Sequence, residues 1–447
     1  MLCAIPIEIL NRELDGTLLV GLELAKRGLP TLFGERMVTQ YVKKNDHPVI
    51  YVDIEQYAPM NSVVLARGGR VLNINAEGLA FLCDTKFISI FEHIKDNVSD
   101  ICLWGDKQLS IVKEHLPQDM ADVLKVTGYP SFDLASERFI SYYRNDEIIT
   151  EHGEDYILIN ANFGIYNHAM GLGNYLNMIQ KMAEWDVYKD PEYLKWLEKQ
   201  ADYQEQVVEG FLEMVHQLTK AFPERHIIVR PHPTEDNGLY ERALRQHHNV
   251  FVTNQGGARE WIASASHVIH HDCTTSMEAL MMGKPVIQYR PVYDQEYNDP
   301  LLASIGSEAE TVDLVIECIR AGSMPDELRR EQLGKLAPYI SNINKPASQV
   351  IADIAFGYAS SEQETWIPEP LGLWDSFKCW RKHLSKVLRS KQPGHNGKKV
   401  SYALNKFPRL PLAEVQERVD KMCALDSSLP KVKVDQLALN TFLMQPE

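Results

Sequence analysis

The sequence predicts an α/β protein made of two Rossmann-like halves. Three observations predict it. Short apolar runs alternate with helical patterns through the first third of the chain, the alternation starts again near residue 156, and the polar stretch Ser136–His152 separates the two. Strands that alternate with helices imply parallel βαβ units. At 447 residues the chain exceeds one ordinary domain and suits two with an appendage. The expected layout is residues 1–145, then 150–360, then a helical basic tail over 361–447.

In the first half, Leu2–Ile9 reads as a strand and Leu18–Arg27 as a helix stopped by Gly28. Short strands are expected at Pro30–Phe33, Val49–Tyr51, Ser62–Ala66, Phe87–Ile90, Ile101–Trp104 and Leu124–Val126. In the second half, Tyr156–Asn160 predicts a strand followed by the loop Ala161–Gly173. Glu192–Ala221 carries a helical apolar face of Trp196, Leu197, Val207, Val208, Phe211, Leu212, Val215 and Leu218, and Pro223 breaks it. Further strands are expected at His226–Val229, Val250–Val252, Val268–Ile269 and Pro285–Tyr289. Ligands of such sheets sit beyond the carboxyl ends of the strands, here in a cleft between the halves.

Composition narrows the function. Hydrophobic residues make up 45% and charged residues 24%, as in globular chains with large cores. A net charge of -15 argues against nucleic acid as a partner, which needs a basic footprint. Seven cysteines without a CxxC pair fit free thiols in a reducing compartment. The first residues lack a basic segment before their apolar run and lead into Arg12, Glu13 and Asp15, unlike a signal peptide. No apolar run approaches the roughly 18 to 20 residues of a membrane span. A cytoplasmic location is expected.

Two motifs carry chemistry. Arg230-Pro231-His232-Pro233-Thr234-Glu235 follows the strand His226–Val229. The strand end aims Arg230 and His232 at a ligand, and a histidine there can donate to a phosphate oxygen or protonate a leaving group. Pro231 and Pro233 stiffen the loop. A proline-bounded turn with a surface histidine is the plainer alternative. His270-His271-Asp272-Cys273-Thr274-Thr275-Ser276-Met277-Glu278 follows Val268–Ile269. Thr274, Thr275 and Ser276 lie where a helix should start, and hydroxyls with free N–H groups there suit a phosphate. Glu278 is placed to accept from ribose hydroxyls. Ordinary N-capping is the plainer reading, but two anion-competent strand ends in one domain weaken it. Asn160, Asn162 and His168 line the loop after Tyr156–Asn160, whose Gly164, Gly171 and Gly173 permit close approach. No Asp-x-Asp occurs, so a metal-dependent mechanism is not expected and protein groups must neutralise the leaving phosphate. No metal or cofactor is expected.

The pairing of an HP motif with a downstream Ser/Thr motif resembles bacterial sialyltransferases and the retaining Kdo transferases of capsule and lipopolysaccharide synthesis. The chain resembles more closely the bacterial surface carbohydrate biosynthesis protein family. The matching stretches are Ile5–Glu8 with Arg12–Asp15, Val126–Pro130 with Phe132-Asp133, Ile159–Gly164, Arg230–Glu235 and His270–Tyr289. The resemblance implies a GT-B fold and transfer of an acidic sugar, Kdo or another nonulosonate, from a CMP-sugar donor to a polysaccharide or lipid-linked acceptor. It also implies that Arg230, His232, Pro233, Thr274, Thr275 and Ser276 hold the donor phosphate. These families place a catalytic acid pair before a glycine. Here Asn75-Ala76-Glu77-Gly78 retains one acid, Glu77, as the expected base or nucleophile. Glu8, Glu13 and Asp15 are rivals, and a helix-start acid cluster favoured by the dipole explains them equally well. Asp294-Gln295-Glu296 is similar to a run in teichoic-acid polyol-phosphate transferases, the alternative reading. A sugar-nucleotide epimerase and a non-catalytic nucleotide-binding scaffold are the others.

The tail has ten Lys or Arg and no Asp or Glu between Lys378 and Arg409, and Phe377, Trp380, Leu384, Val387 and Leu388 share one helical face. A solvated charged helix is one reading. Contact with anionic lipid at the inner face of the plasma membrane is the other.

Overall fold

The structure, a computed structural model, describes residues 1–54, 58–74, 78, 95–115, 118–181, 190–359, 365–390, 400, 404 and 406–447. It divides into two compact units, Met1–Leu134 with Ala337–Glu447, and Ala135–Leu336. The division comes earlier than the expected 145–150, and the chain returns to the first unit after Leu336.

The first unit is built on an eight-stranded sheet. Its parallel part comprises β1 (Leu2–Pro6), β2 (Thr31–Gly34), β3 (Val49–Asp53), β4 (Arg70–Ile74), β5 (Asp100–Leu103) and β6 (Leu124–Val126), in the order β2-β1-β3-β4-β5-β6. β1 is buried along its whole length, which explains its near-continuous apolar sequence. The sheet is completed by a hairpin from the end of the chain, β13 (Val432–Ala438) and β14 (Thr441–Pro446), with β14 antiparallel to β2. The expected separate tail is therefore corrected over this span: its last two strands are sheet edge. Gly34 has φ +133°, and a Cβ there would collide with the Asn440 carbonyl, so glycine is required where the hairpin closes on β2.

Three further expectations change. The first strand ends at Pro6, and the helix runs from Leu10 to Lys26, starting eight residues before the expected Leu18. Ser62–Ala66 is the end of a helix, Ala58–Ala66, rather than a strand. Phe87–Ile90 lies outside the described residues. The returning segment is pinned to the first unit by Asp133, which accepts from Ala347 N (2.8 Å), Ser348 N (2.7 Å) and Asn342 Nδ2 (2.5 Å) at the start of the helix Ala347–Tyr358. The Phe132-Asp133 stretch thus has a structural purpose.

The second unit has a six-stranded, all-parallel sheet in the order β12-β11-β10-β7-β8-β9, with β7 Ile157–Asn160, β8 Ile227–Arg230, β9 Val250–Val252, β10 His267–His270, β11 Val286–Tyr289 and β12 Ser307–Ala309. The long helix Pro191–Ala221 opens on Asp190, whose side chain accepts from Glu192 N, with Pro191 at its first position. Its buried face, including Val207, Phe211, Val215 and Leu218, packs in one cluster with Ile157, Ile159, Ile227, Val229, Ile269 and Ile287. A fully buried side chain of this kind contributes about 1.5–3 kcal/mol. Among the described residues no helix is long and apolar enough to cross a membrane.

Candidate functional site

Strand order fixes where a ligand of the second unit belongs. From β7 the chain moves to β8 and β9 on one side, then crosses back to β10, β11 and β12 on the other. The carboxyl ends of the neighbours β7 and β10 therefore form a topological switch point. Asn160 and His270 are register partners there. Asn160 is buried, and its Nδ2 donates to Thr275 Oγ1 at 2.8 Å. Asn162 Nδ2 donates to the Asp272 carbonyl at 2.8 Å. The loops after β7 and β10, both expected at the site, are thus stitched together.

The loop after β8 is locked to the loop after β7 by one buried carboxylate. Glu235 Oε1 accepts from His232 N (2.9 Å) and Phe163 N (3.1 Å), and Oε2 accepts from Tyr240 OH (2.7 Å) and Asn167 Nδ2 (3.3 Å). Glu235 was present in the motif, but its bracing role was not foreseen. His232 is set by its own turn: Thr234 N donates to Nδ1 at 3.3 Å and Thr234 Oγ1 lies 2.8 Å from it. A ring that accepts at Nδ1 carries its proton on Nε2 when neutral. Desolvation lowers the His232 pKa, against an opposing pull from Glu235. With Nδ1 accepting from Thr234 N, the ring presents an Nε2–H donor from an exposed position. Gly164 lies so close to this turn that a Cβ would meet Thr234 Oγ1 at 2.5 Å. Its smallness serves loop packing. His168 stacks on Tyr175 (4.6 Å) and accepts from Met170 N at Nδ1 (3.1 Å). It pairs with Glu235 through the backbone. Pro233 is exposed beside His232.

Other expected phosphate groups are committed elsewhere. Arg230 donates to the carbonyls of Gln255 (2.7 Å) and Gly256 (3.2 Å) and lies over the Trp261 ring at 5.3 Å. Burial lowers its pKa to about 10. It fastens the loop after β9. Ser276 is fully buried, and its hydroxyl donates to the Cys273 carbonyl at 2.7 Å within its own turn. Glu278 forms an ion pair with Arg259 at 2.7 Å, and Arg259 also donates to Tyr143 OH at 3.0 Å. Thr274 is exposed and makes no side-chain cap bond, so its hydroxyl is available, as Thr275 is only through an oxygen already bonded to Asn160. The flanking histidines are core residues: His270 Nε2 meets the Ile305 carbonyl at 2.7 Å and His271 the Tyr289 carbonyl at 3.0 Å. Burial takes both pKa values down to about 4.

Asp272 was quoted within the motif but not singled out. It adopts φ +52°, a costly conformation for a non-glycine residue. Its Oδ2 accepts from Asp299 N at 2.9 Å, tying in the loop after β11, while Oδ1 is buried with no partner. Burial raises its pKa to about 7. A carboxyl raised in the folded state holds a proton there that the unfolded chain has released, so its contribution falls as pH rises from about 4 to about 7. The stability advantage of the wild type over Asp272→Asn should therefore shrink across that window. His270 and His271 are common to both proteins and cancel. Denaturant unfolding at several pH values checks this, and a difference that grows with pH would contradict it.

In the first unit the switch point lies at β1 and β3. A small cavity of about 40 Å³ there is lined by Ile5, Pro6, Glu13, Thr17, Val52 and Tyr129, among others. The first-strand acids are occupied. Glu13 Oε2 accepts from Glu8 N (2.8 Å) and Ile9 N (3.3 Å), capping the start of its own helix, while Oε1 binds Arg12. Glu8 pairs with Lys406 at 2.6 Å, and Asp15 with Arg418 at 2.8 Å. Glu77 lies outside the described residues. Its neighbour Gly78 packs against the Trp104 indole, where a Cβ would collide. Among the described residues no cluster of three His, Cys, Asp or Glu is arranged to hold a metal.

No protein-family model matches this chain, and no curated protein matches it by sequence. It is similar to several solved structures. One is the wall teichoic acid polymerase TagF, at 14% identity and TM-score 0.36, covering 61% of this chain and 58% of that one. The UDP-GlcNAc 2-epimerase of Methanocaldococcus jannaschii, in complex with UDP-GlcNAc and UDP, gives 11% and 0.46, covering 80% and 100%. A putative UDP-N-acetylglucosamine 2-epimerase from Listeria monocytogenes gives 11% and 0.49, covering 82% and 100%. The chain thus spans little more than half of the polymerase. Likeness at this level bears on neither activity nor substrate.

Proposed function

We propose that this chain is a glycosyltransferase of GT-B type that takes an acidic sugar from a CMP-linked donor, with the donor phosphate held by the second unit. The observation that carries the reading is the braced His232. Its Nε2–H is a fixed donor at the carboxyl edge of a parallel sheet, on the strand next to the switch point where Asn160 and Thr275 meet. A phosphate in such a place is stabilised by preorganised donors and needs no metal. In the reaction, the bond from the anomeric carbon to the phosphate oxygen breaks and CMP leaves with the electron pair. A carboxylate, assigned to Glu77, either takes the acceptor proton or attacks the anomeric carbon. Kdo or another nonulosonate is the expected sugar, and a surface polysaccharide or its lipid-linked precursor the acceptor.

CMP should raise the melting temperature by binding the folded state. Losing a charge-assisted phosphate contact costs roughly 1.5–3 kcal/mol, so His232→Ala and Thr274→Ala should each weaken CMP binding about tenfold or more. Ser276→Ala should leave affinity within about twofold and lower stability by about 1 kcal/mol, because its hydroxyl is spent inside the turn. Calorimetric titration separates the three variants. Strong stabilisation by UDP with none by CMP would replace this reading with the epimerase one, and strong stabilisation by CDP-glycerol alone with the polyol-phosphate one.

A further inference from the structure

The helix Leu373–Ser390 belongs to the first unit and has no buried residue. Its half-buried residues are Ser376, Cys379, His383, Val387 and Ser390, and Lys386 reaches Glu35 of the same unit at 3.9 Å. The half-buried residues recur at helical spacing, so they form one face. The large apolar side chains are elsewhere. Leu373 (94% exposed), Phe377 (50%), Trp380 (51%), Leu384 (41%) and Leu388 (61%) form a seam centred roughly 100° around the helix, at about 100° per residue. Beyond it lies a basic arc of Lys378, Arg381, Lys382 and Arg389, with Trp374 at the border. Trp374 stacks on Phe377 (6.0 Å) and receives Lys378 over its ring (5.5 Å).

We propose that this helix lies in the plane of an anionic membrane surface, its apolar seam in the headgroup boundary and its basic arc on the lipid phosphates. Among the described residues, no core cluster of the unit includes the seam. At about 27 Å and with five Lys or Arg, the helix is too short and too charged to span a bilayer. Arg381, Lys382 and Arg389 have no acidic partner among the described residues, in a chain whose net charge is -15. That local reversal of sign selects an anionic occupant. A second copy of the helix would bring like charges together, whereas anionic headgroups neutralise them and bury the tryptophans at the interface they favour.

The test is sedimentation of the full chain with vesicles of phosphatidylcholine alone and of an equal mixture with phosphatidylglycerol. Truncation is unsuitable, because it would remove β13 and β14. The wild type should bind the mixed vesicles and not the neutral ones, and salt should weaken binding within the screening range. Arg381→Glu/Lys382→Glu/Arg389→Glu should lose about 100-fold or more. Phe377→Ala/Trp380→Ala/Leu384→Ala should lose about tenfold or more. Both should keep the wild-type melting temperature, since the replaced side chains are exposed. Equal binding by all three proteins, or by none, overturns the proposal. So does a wild-type dimer that the apolar variant makes monomeric, which would assign the seam to a second copy. Vesicle binding needs no nucleotide, and CMP stabilisation measured on the same variants should be unchanged, so failure here is distinct from failure of the transferase reading.

Discussion

Glu77→Gln should lower CMP release from a CMP-ulosonic acid, in the presence of acceptor, at least about 100-fold, the low end for acid–base catalysis. The substitution keeps the side-chain shape and removes the charge. CMP affinity should stay within about twofold, because the phosphate donors proposed here lie in the second unit. The structure sharpens the controls. Glu13 caps its own helix, and Glu8 and Asp15 are ion-paired with Lys406 and Arg418. Glu8→Gln and Asp15→Asn should therefore retain turnover near wild type, losing at most about 1 kcal/mol of stability from a partly exposed ion pair. A Glu77→Gln enzyme at full rate beside a dead Asp15→Asn enzyme would move the catalytic carboxylate to the first helix.

The second large effect is expected at Glu235. Its carboxylate accepts from two backbone amides, a tyrosine hydroxyl and an asparagine amide, and the residue is only 4% exposed. Glu235→Ala strips all four donors of their acceptor at once. Orphaning a buried donor costs about 1–3 kcal/mol each, so even with relaxation the loss should reach about 3 kcal/mol or more. Nucleotide binding should fall as well, because the amide of His232 is one of the four. Glu235→Gln retains the carbonyl acceptor at Oε1 and should recover part of both losses. Denaturant unfolding and CMP titration measure the pair. An alanine variant with native stability would show that the four donors find other acceptors.

Five of the six strands of the second unit were legible, most plainly where a parallel strand covered on both faces is a near-continuous apolar run, as at Ile227–Val229, whereas the short edge strand β12, Ser-Glu-Ala and partly exposed, was missed. The first unit was harder. Val63–Ala66 is an apolar run too short to tell a strand from a buried helix, and it proved helical. β4 was missed because it begins on exposed Arg70 and contains Asn73, a buried polar residue whose amide donates to the Asp53 carbonyl. The helix Leu10–Lys26 was started late because Arg12, Glu13 and Asp15 look like a loop, although one of them is its cap. The two motifs fall at the carboxyl ends of β8 and β10, the strands on either side of β7. The motifs were silent on the use of each side chain. Arg230 and Ser276 have the chemistry of phosphate ligands, but the carbonyls of Gln255, Gly256 and Cys273 claim them. Those partners are set by loop geometry, which leaves no periodic trace in a sequence.

The hairpin of β13 and β14 has a consequence for synthesis. Residues 135–336 emerge from the ribosome as one uninterrupted stretch and hold everything the second unit needs. The first unit cannot close until the final strand arrives, since β14 covers the edge of β2. Until then the nascent chain carries Thr31–Gly34, all four residues of which are buried in the finished sheet, as an uncovered strand edge, a template for pairing with a neighbouring chain. Chaperone dependence during expression, and aggregation of stop-codon variants ending shortly before residue 441, should therefore trace to this edge, while the inserted unit in the same aggregates retains its native protease resistance.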